Sequence, residues 1–144
     1  EKTQNAAGIL SGIAITLPAL TRSVKLQKRA AQVGFDWPSI MPIFDKIREE
    51  LEEVTHEFNQ DNAIETNQDR IEDEIGDLLF ACTNLARFAR INPETALRRS
   101  NRKFENRFAH MEKLAAERSL ILENLDLDTW DQLWEQVKSE ENMR

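Results

Sequence analysis

Phe44–Phe58 reads FDKIREELEEVTHEF, and Ile71–Ala89 reads IEDEIGDLLFACTNLARFA; these two stretches decide the fold. In the first, Phe44, Ile47, Leu51, Val54 and Phe58 recur at steps of three and four, one apolar seam on a helix. In the second, Ile71, Ile75, Leu78, Cys82, Leu85 and Ala89 do the same. Glu50 and Glu53 flank the first seam, with Glu49 further round. Glu74 and Asp77 flank the second on the same-handed side, if each residue advances about 100°. The polar segment Asn59–Gln68 joins the helices, so an antiparallel pair is expected. Packed seam to seam, such a pair brings Glu50, Glu53, Glu74 and Asp77 to one patch at matching heights, without cations interleaved among them. Carboxylates alone suit a hard cation such as Mg²⁺.

The remaining chain supports an all-α reading. Its 144 residues include only four Gly and four Pro, too few for the tight turns of a β-sandwich, and suffice for one domain with a hydrophobic core. A net charge of −7 argues against a general nucleic-acid surface. The lone cysteine, Cys82, has no partner for an intramolecular disulfide and is read as a core residue in a reducing, cytoplasmic setting. No apolar run reaches the length of a membrane span, and Gly8–Leu20 is too short and lacks a basic lead-in.

Residues 1–16 read as a linker or arm, and 17–144 as the helical domain. A helix is expected from Pro18 to Val33, stopped by Gly34. A loop follows at Phe35–Pro38, and Ser39 or Met41 with Pro42 opens the first acidic helix. Asn92-Pro93-Glu94 starts another, running to about Arg118. Its seam, Leu97, Asn101, Phe104, Phe108, Met111 and Ala115, places Asn101 inward, where a buried amide needs partners. Lys103 and Arg107 share one flank, within reach of the same ligand. A last helix is expected from Thr129 to about Glu140, capped by Asp128, with Trp130, Leu133, Trp134 and Val137 on its apolar face and Lys138 beyond.

Each constellation has a plainer reading. An isolated Glu-Glu-x-x-Glu is ordinarily a solvated helix face; the matched Glu74-x-x-Asp77 is what favours metal. A di-iron centre would need two Glu-x-x-His motifs, whereas only Glu53-x-x-His56 is present and His56 falls opposite its seam. His110 follows Arg107 and does not read as a ligand. Trp134 reads as core before it reads as a base platform.

As an ordered set, these motifs resemble the all-α nucleoside triphosphate pyrophosphohydrolases of the MazG type. The residues that carry the likeness are Glu49-Glu50-x-x-Glu53, Glu74-x-x-Asp77-Leu78-Leu79-Phe80, Leu17–Leu20, Lys25-x-Gln27-Lys28, Val33–Trp37, Asn101-x-Lys103-Phe104-Glu105-x-Arg107-Phe108, and Trp134-x-x-x-Lys138. The resemblance implies an antiparallel bundle of about four to five helices that dimerises and hydrolyses nucleoside triphosphates to nucleoside monophosphate and pyrophosphate with Mg²⁺, a house-cleaning activity on the nucleotide pool. It assigns Glu50, Glu53, Glu74 and Asp77 as metal ligands, with Glu49 as ligand or base and Glu53 as another candidate base. Asn101, Lys103 and Arg107 would hold phosphates; Trp134 and Lys138 would contact nucleotide. Long-form members carry two such modules and this chain holds one, so it is expected to be a C-terminal half. A catalytically idle nucleotide-binding or dimerisation module is the alternative.

Overall fold

The computed structural model describes residues 8–60 and 63–143; part of the expected N-terminal arm, residues 1–7, lies outside the described residues. Six α-helices and one 3₁₀ turn account for its regular structure, with no strand among the described residues. The helices are α1 (Ala19–Ala31), α2 (Met41–Phe58), α3 (Ala63–Thr66), α4 (Gln68–Phe88), α5 (Pro93–Glu117) and α6 (Leu127–Asn142). The all-α expectation holds. Two compact units divide within α5, between Thr95 and Ala96.

In the first unit, α2 packs along α4, and α1 also packs on α4. Pro42 stands in the first turn of α2, where its missing N–H costs nothing. The stops of α1, α4 and α5 use one device. Gly34, Arg90 and Ser119 adopt left-handed backbone, with φ of 95°, 60° and 56°. At each, the following amide donates back to a carbonyl of the last turn: Phe35 to Ala30 at 3.1 Å, Ile91 to Ala86 at 2.9 Å, Leu120 to Ala115 at 2.8 Å. This is the Schellman closure, and Gly34 is the position where glycine removes the Cβ penalty. The expected arm is partly tied down: Arg29 Nη1 donates to the carbonyls of Ile9 and Ser11, and Ile13 is buried.

The buried face of α2 is rotated from the expected seam. Ile43 and Glu50 are buried, whereas Leu51 and Phe58 are about half exposed. On α4, Ile71, Ala81, Thr83 and Asn84 are buried, while Ile75 and Leu79 are exposed. Cys82 is exposed as well, so its expected place in the core is corrected. Only part of each seam faces outward, Leu51 and Phe58 on α2 and Ile75 and Cys82 on α4, while α1 also packs on α4, with Gln27 reaching the Phe80 carbonyl.

The second unit has its own hydrophobic core. Met111, Leu114 and Ala115 of α5 meet Leu133 and Val137 of α6, with Trp130 and Trp134 packed against them. The apolar face expected of the last helix is therefore the observed one. Its cap differs: Asp126, not Asp128, accepts from the Thr129 amide at 2.9 Å, so the helix begins two residues early, at Leu127. Asn92 caps α5 as expected, accepting from the Glu94 and Thr95 amides at 2.9 and 3.2 Å.

Candidate metal and nucleotide site

The acids of α2 and α4 meet as an antiparallel pair requires. One carboxylate oxygen each from Glu50, Glu74 and Asp77 lies within 4.8 Å of the other two. Glu50 is buried, Glu74 half-buried and Asp77 exposed, so the cluster opens to solvent on one side. Partial desolvation pushes the Glu74 carboxyl above its ordinary pKa, helped by the charges of Glu53, Asp77, Glu50 and Glu57. Glu53 thus stands within electrostatic reach but outside the close triad, and Glu49 is farther out, its side chain 60% exposed. The donor set is all oxygen, of the kind a hard divalent cation takes.

The expectation that no cation interleaves is corrected. Lys46 Nζ lies 2.9 Å from Glu50 and 3.4 Å from Glu49. The hydrogen bond to Glu50 holds the ammonium pKa above its ordinary value. Lys46 sits four residues before Glu50 on one helix face, a spacing that would have revealed it. Glu57 is the other acid that sequence reasoning passed over; it is half-buried, and its Oε2 has no hydrogen-bond partner among the described residues.

Beside Glu50 and Asp77 opens a cleft of about 720 Å³. Trp37, Phe35 and Phe80 supply its apolar wall, and Gln27 and Asn84 its amides. Asp36 and Arg87, both in its lining, pair with each other, Nη2 to Oδ1 at 2.6 Å, and Arg87 also donates to Asn84 Oδ1 at 2.9 Å. The Arg87 guanidinium beside Asp36 holds its carboxyl below the usual range. None of Gln27, Asp36, Asn84 or Arg87 stood out in the sequence as a site residue, because their meeting depends on how α1 lies on α4.

The second unit holds the other expected contacts. Asn101 and Lys103 are exposed, so the expectation that Asn101 faces inward is corrected. Arg107 is half-buried: its guanidinium lies 5.2 Å over the Trp134 ring and is held by Glu141 at 3.0 Å. Arg107 in turn holds the Glu141 carboxyl below its ordinary pKa. Trp134 packs against Phe104, ring centroids 6.1 Å apart, as its core reading requires. Lys138 pairs with Glu135 at 3.6 Å, and His110 with Glu140 at 2.9 Å.

Residues 41–112 match the family model of the MazG nucleotide pyrophosphohydrolase domain. A nucleoside triphosphate pyrophosphohydrolase of Escherichia coli K12 is 45% identical over 141 residues, covering 98% of this chain and 52% of that protein. The nucleoside triphosphate pyrophosphohydrolase/pyrophosphatase MazG of Thermotoga maritima is 39% identical over 139 residues, covering 96% of this chain and 51% of its own length. The uncharacterized protein YabN of Bacillus subtilis is 39% identical over 148 residues, 28% of its length. The chain spans about half the length of the first two relatives. With a match over half its residues and an all-helical fold that brings acids of α2 and α4 together, the chain belongs to the MazG nucleotide pyrophosphohydrolase domain family.

Proposed function

We propose that this chain hydrolyses nucleoside triphosphates to nucleoside monophosphate and pyrophosphate. The observation that carries the reading is the Glu50–Glu74–Asp77 triad beside a cleft large enough for a nucleotide. The three carboxylates fit Mg²⁺: they offer oxygen donors only, their charges crowd one another, and one side is open for a substrate. When bound there, Mg²⁺ supplies positive charge to phosphate oxygens and acidifies water. Glu53 would complete that set or, like Glu49, take the proton of the attacking water. The new bond forms between water oxygen and the α-phosphorus; the α–β bridging bond breaks and pyrophosphate leaves with the bridging oxygen. Lys46 is placed to exchange Glu50 for a phosphate oxygen, since its ammonium stays charged.

In the second unit, Asn101, Lys103 and Arg107 would hold phosphates, with Lys138 and Trp134 contacting nucleotide. Trp134 contributes by supporting the Arg107 guanidinium from beneath. The exposed apolar side chains of Leu51, Phe58, Ile75 and Leu79 favour a homodimer that covers them. A house-cleaning role on the cytoplasmic nucleotide pool is the setting this substrate class suggests. The test is incubation with each triphosphate, with Mg²⁺ and with EDTA. Equimolar monophosphate and pyrophosphate, abolished by EDTA, is the expected result. Diphosphate and inorganic phosphate, or no turnover by folded protein, would leave the idle binding module as the better reading.

A further inference from the structure

A second cavity of the first unit, about 530 Å³, lies between α1, the C-terminal end of α4 and the Asn92-Pro93 turn that opens α5. Lys25, Lys28, Arg87 and Arg90 line it, and no carboxylate does. Lys25, Lys28 and Arg90 are exposed and enter no salt bridge among the described residues. Asn92, also in the lining, has its Oδ1 committed to the Glu94 and Thr95 amides, so its NH₂ end is what remains for a ligand. This placement runs against the composition: the chain carries a net charge of −7, yet its sequence holds no acid from Lys2 to Phe35. Like charges around one concavity repel each other and focus a field of one sign, and a bound anion offsets that repulsion. Arg87 lines this cavity and also the cleft beside the acids. Of its five N–H groups, four donate to Asp36 and Asn84, and the fifth is uncommitted among the described residues.

We propose that this basic cavity is a second anion site, separate from the acid triad, that takes a ligand carrying a diphosphate group, and that Arg87 couples it to the Phe35–Trp37 loop. The site goes beyond the pyrophosphohydrolase reading and does not depend on turnover. Four cations around one concavity match a compact, multiply charged oxyanion better than a single charge. Lys25 and Lys28 are three apart on α1, neighbours on one helix face, and an arginine fork suits paired phosphate oxygens. The coupling follows from what Arg87 already holds. Asp36 accepts from Arg87 Nη2 at 2.6 Å and from the Trp37 amide at 2.8 Å, so the loop that lines the first cleft is fixed in part by this guanidinium. An anion in the basic cavity competes with Asp36 for Arg87. By reciprocity, whatever releases Arg87 from Asp36 tightens the anion.

The experiment is calorimetric titration of inorganic pyrophosphate into the chain in EDTA, at about 0.15 M KCl so that loose attraction to exposed lysines is screened. Without a divalent cation the acid triad repels pyrophosphate, which leaves the basic cavity to report. Wild type is expected to bind one equivalent saturably, and Lys25→Gln/Lys28→Gln to bind at least about tenfold more weakly; both side chains are exposed, so the variant keeps its fold. Lys103→Ala, in the second unit, should bind within about twofold of wild type, and Asp36→Asn at least about threefold more tightly because Arg87 is released. Inorganic phosphate should bind wild type at least about tenfold more weakly than pyrophosphate. ADP binding at this site more tightly than pyrophosphate would support a nucleotide as the carrier of the diphosphate, and weaker binding would support the free anion. No saturable binding by wild type overturns the inference, as does equal binding by Lys25→Gln/Lys28→Gln or equal affinity for phosphate and pyrophosphate. Loss of binding in Lys103→Ala overturns it by placing the anion in the second unit. An affinity unchanged in Asp36→Asn overturns the coupling through Arg87.

Discussion

Neutralising Glu50 is expected to make the metal-free protein more stable, although Glu50 is buried and salt-bridged. Coulomb energies scale as inverse distance, so one attraction at 2.9 Å opposes two repulsions at no more than 4.8 Å. Two over 4.8 exceeds one over 2.9 by about a fifth. At an effective dielectric of about 20, this surplus favours a neutral side chain of the same shape at position 50 by about 1 kcal/mol. Glu50→Gln keeps the shape and an oxygen for Lys46 to donate to. The expected apo melting temperature is therefore higher by about 3–4 °C for a chain of this size. Mg²⁺ should raise the wild-type melting temperature by mass action and raise that of Glu50→Gln much less. The assay is a pair of thermal melts per protein, one in EDTA and one in excess Mg²⁺. An apo Glu50→Gln melting point clearly below wild type, with the Mg²⁺ shift intact, would refute the reasoning. The Lys46 pair would then outweigh the acids, and Glu50 would be a structural residue.

Lys103→Ala should leave the melting temperature within about 1–2 °C, because the side chain is exposed, while lowering turnover at saturating Mg²⁺ by tenfold or more; unchanged turnover removes it from the site. Trp134→Ala should cost about 2–3 kcal/mol in denaturant unfolding, since the ring packs on the core formed by α5 and α6 and on Phe104; a raised KM with unaltered stability would instead make it a nucleotide platform. Asp36→Asn should cost about 1 kcal/mol near neutral pH through the Arg87 bond. The folded-state pKa of Asp36 is depressed, so this stabilisation is present above the unfolded value near 3.8 and lost as pH falls through the folded value; melts of wild type and Asp36→Asn should converge in acid, and a constant gap down to that range would deny the pairing.

The parts of this fold legible in the sequence are those governed by local chemistry. Asn92-Pro93 marks the start of α5 because cap and proline act within one turn, and Gly34 marks the end of α1 because the αL position there suits glycine. Asp128 misled because Asp126, two residues earlier, satisfies the same amide rule, and local pattern alone does not choose between them. The acid patch was legible because heptad-like spacing fixes angle and height on both helices; Glu50, Glu74 and Asp77, three of the four acids expected there, lie together, and Glu53 stands outside the close triad. Lys46 was legible in principle from its four-residue spacing. Gln27 was not: a glutamine in a basic helix carries no sign that its amide clamps a carbonyl 53 residues away. Nor could periodicity show that Leu51, Ile75 and Cys82 face outward, because it identifies an apolar stripe without saying what covers it.

The most direct test of the metal claim is a Mn²⁺ titration followed by the EPR signal of the free ion, with Mn²⁺ standing in for Mg²⁺. It compares the wild-type chain with Glu74→Gln. Wild type should remove free Mn²⁺ saturably, and Glu74→Gln should bind at least about tenfold more weakly while keeping its helical circular dichroism, since it loses one charged ligand at a half-buried site. Equal binding by the two proteins, or no saturable binding by wild type, would contradict a metal centre at Glu50, Glu74 and Asp77.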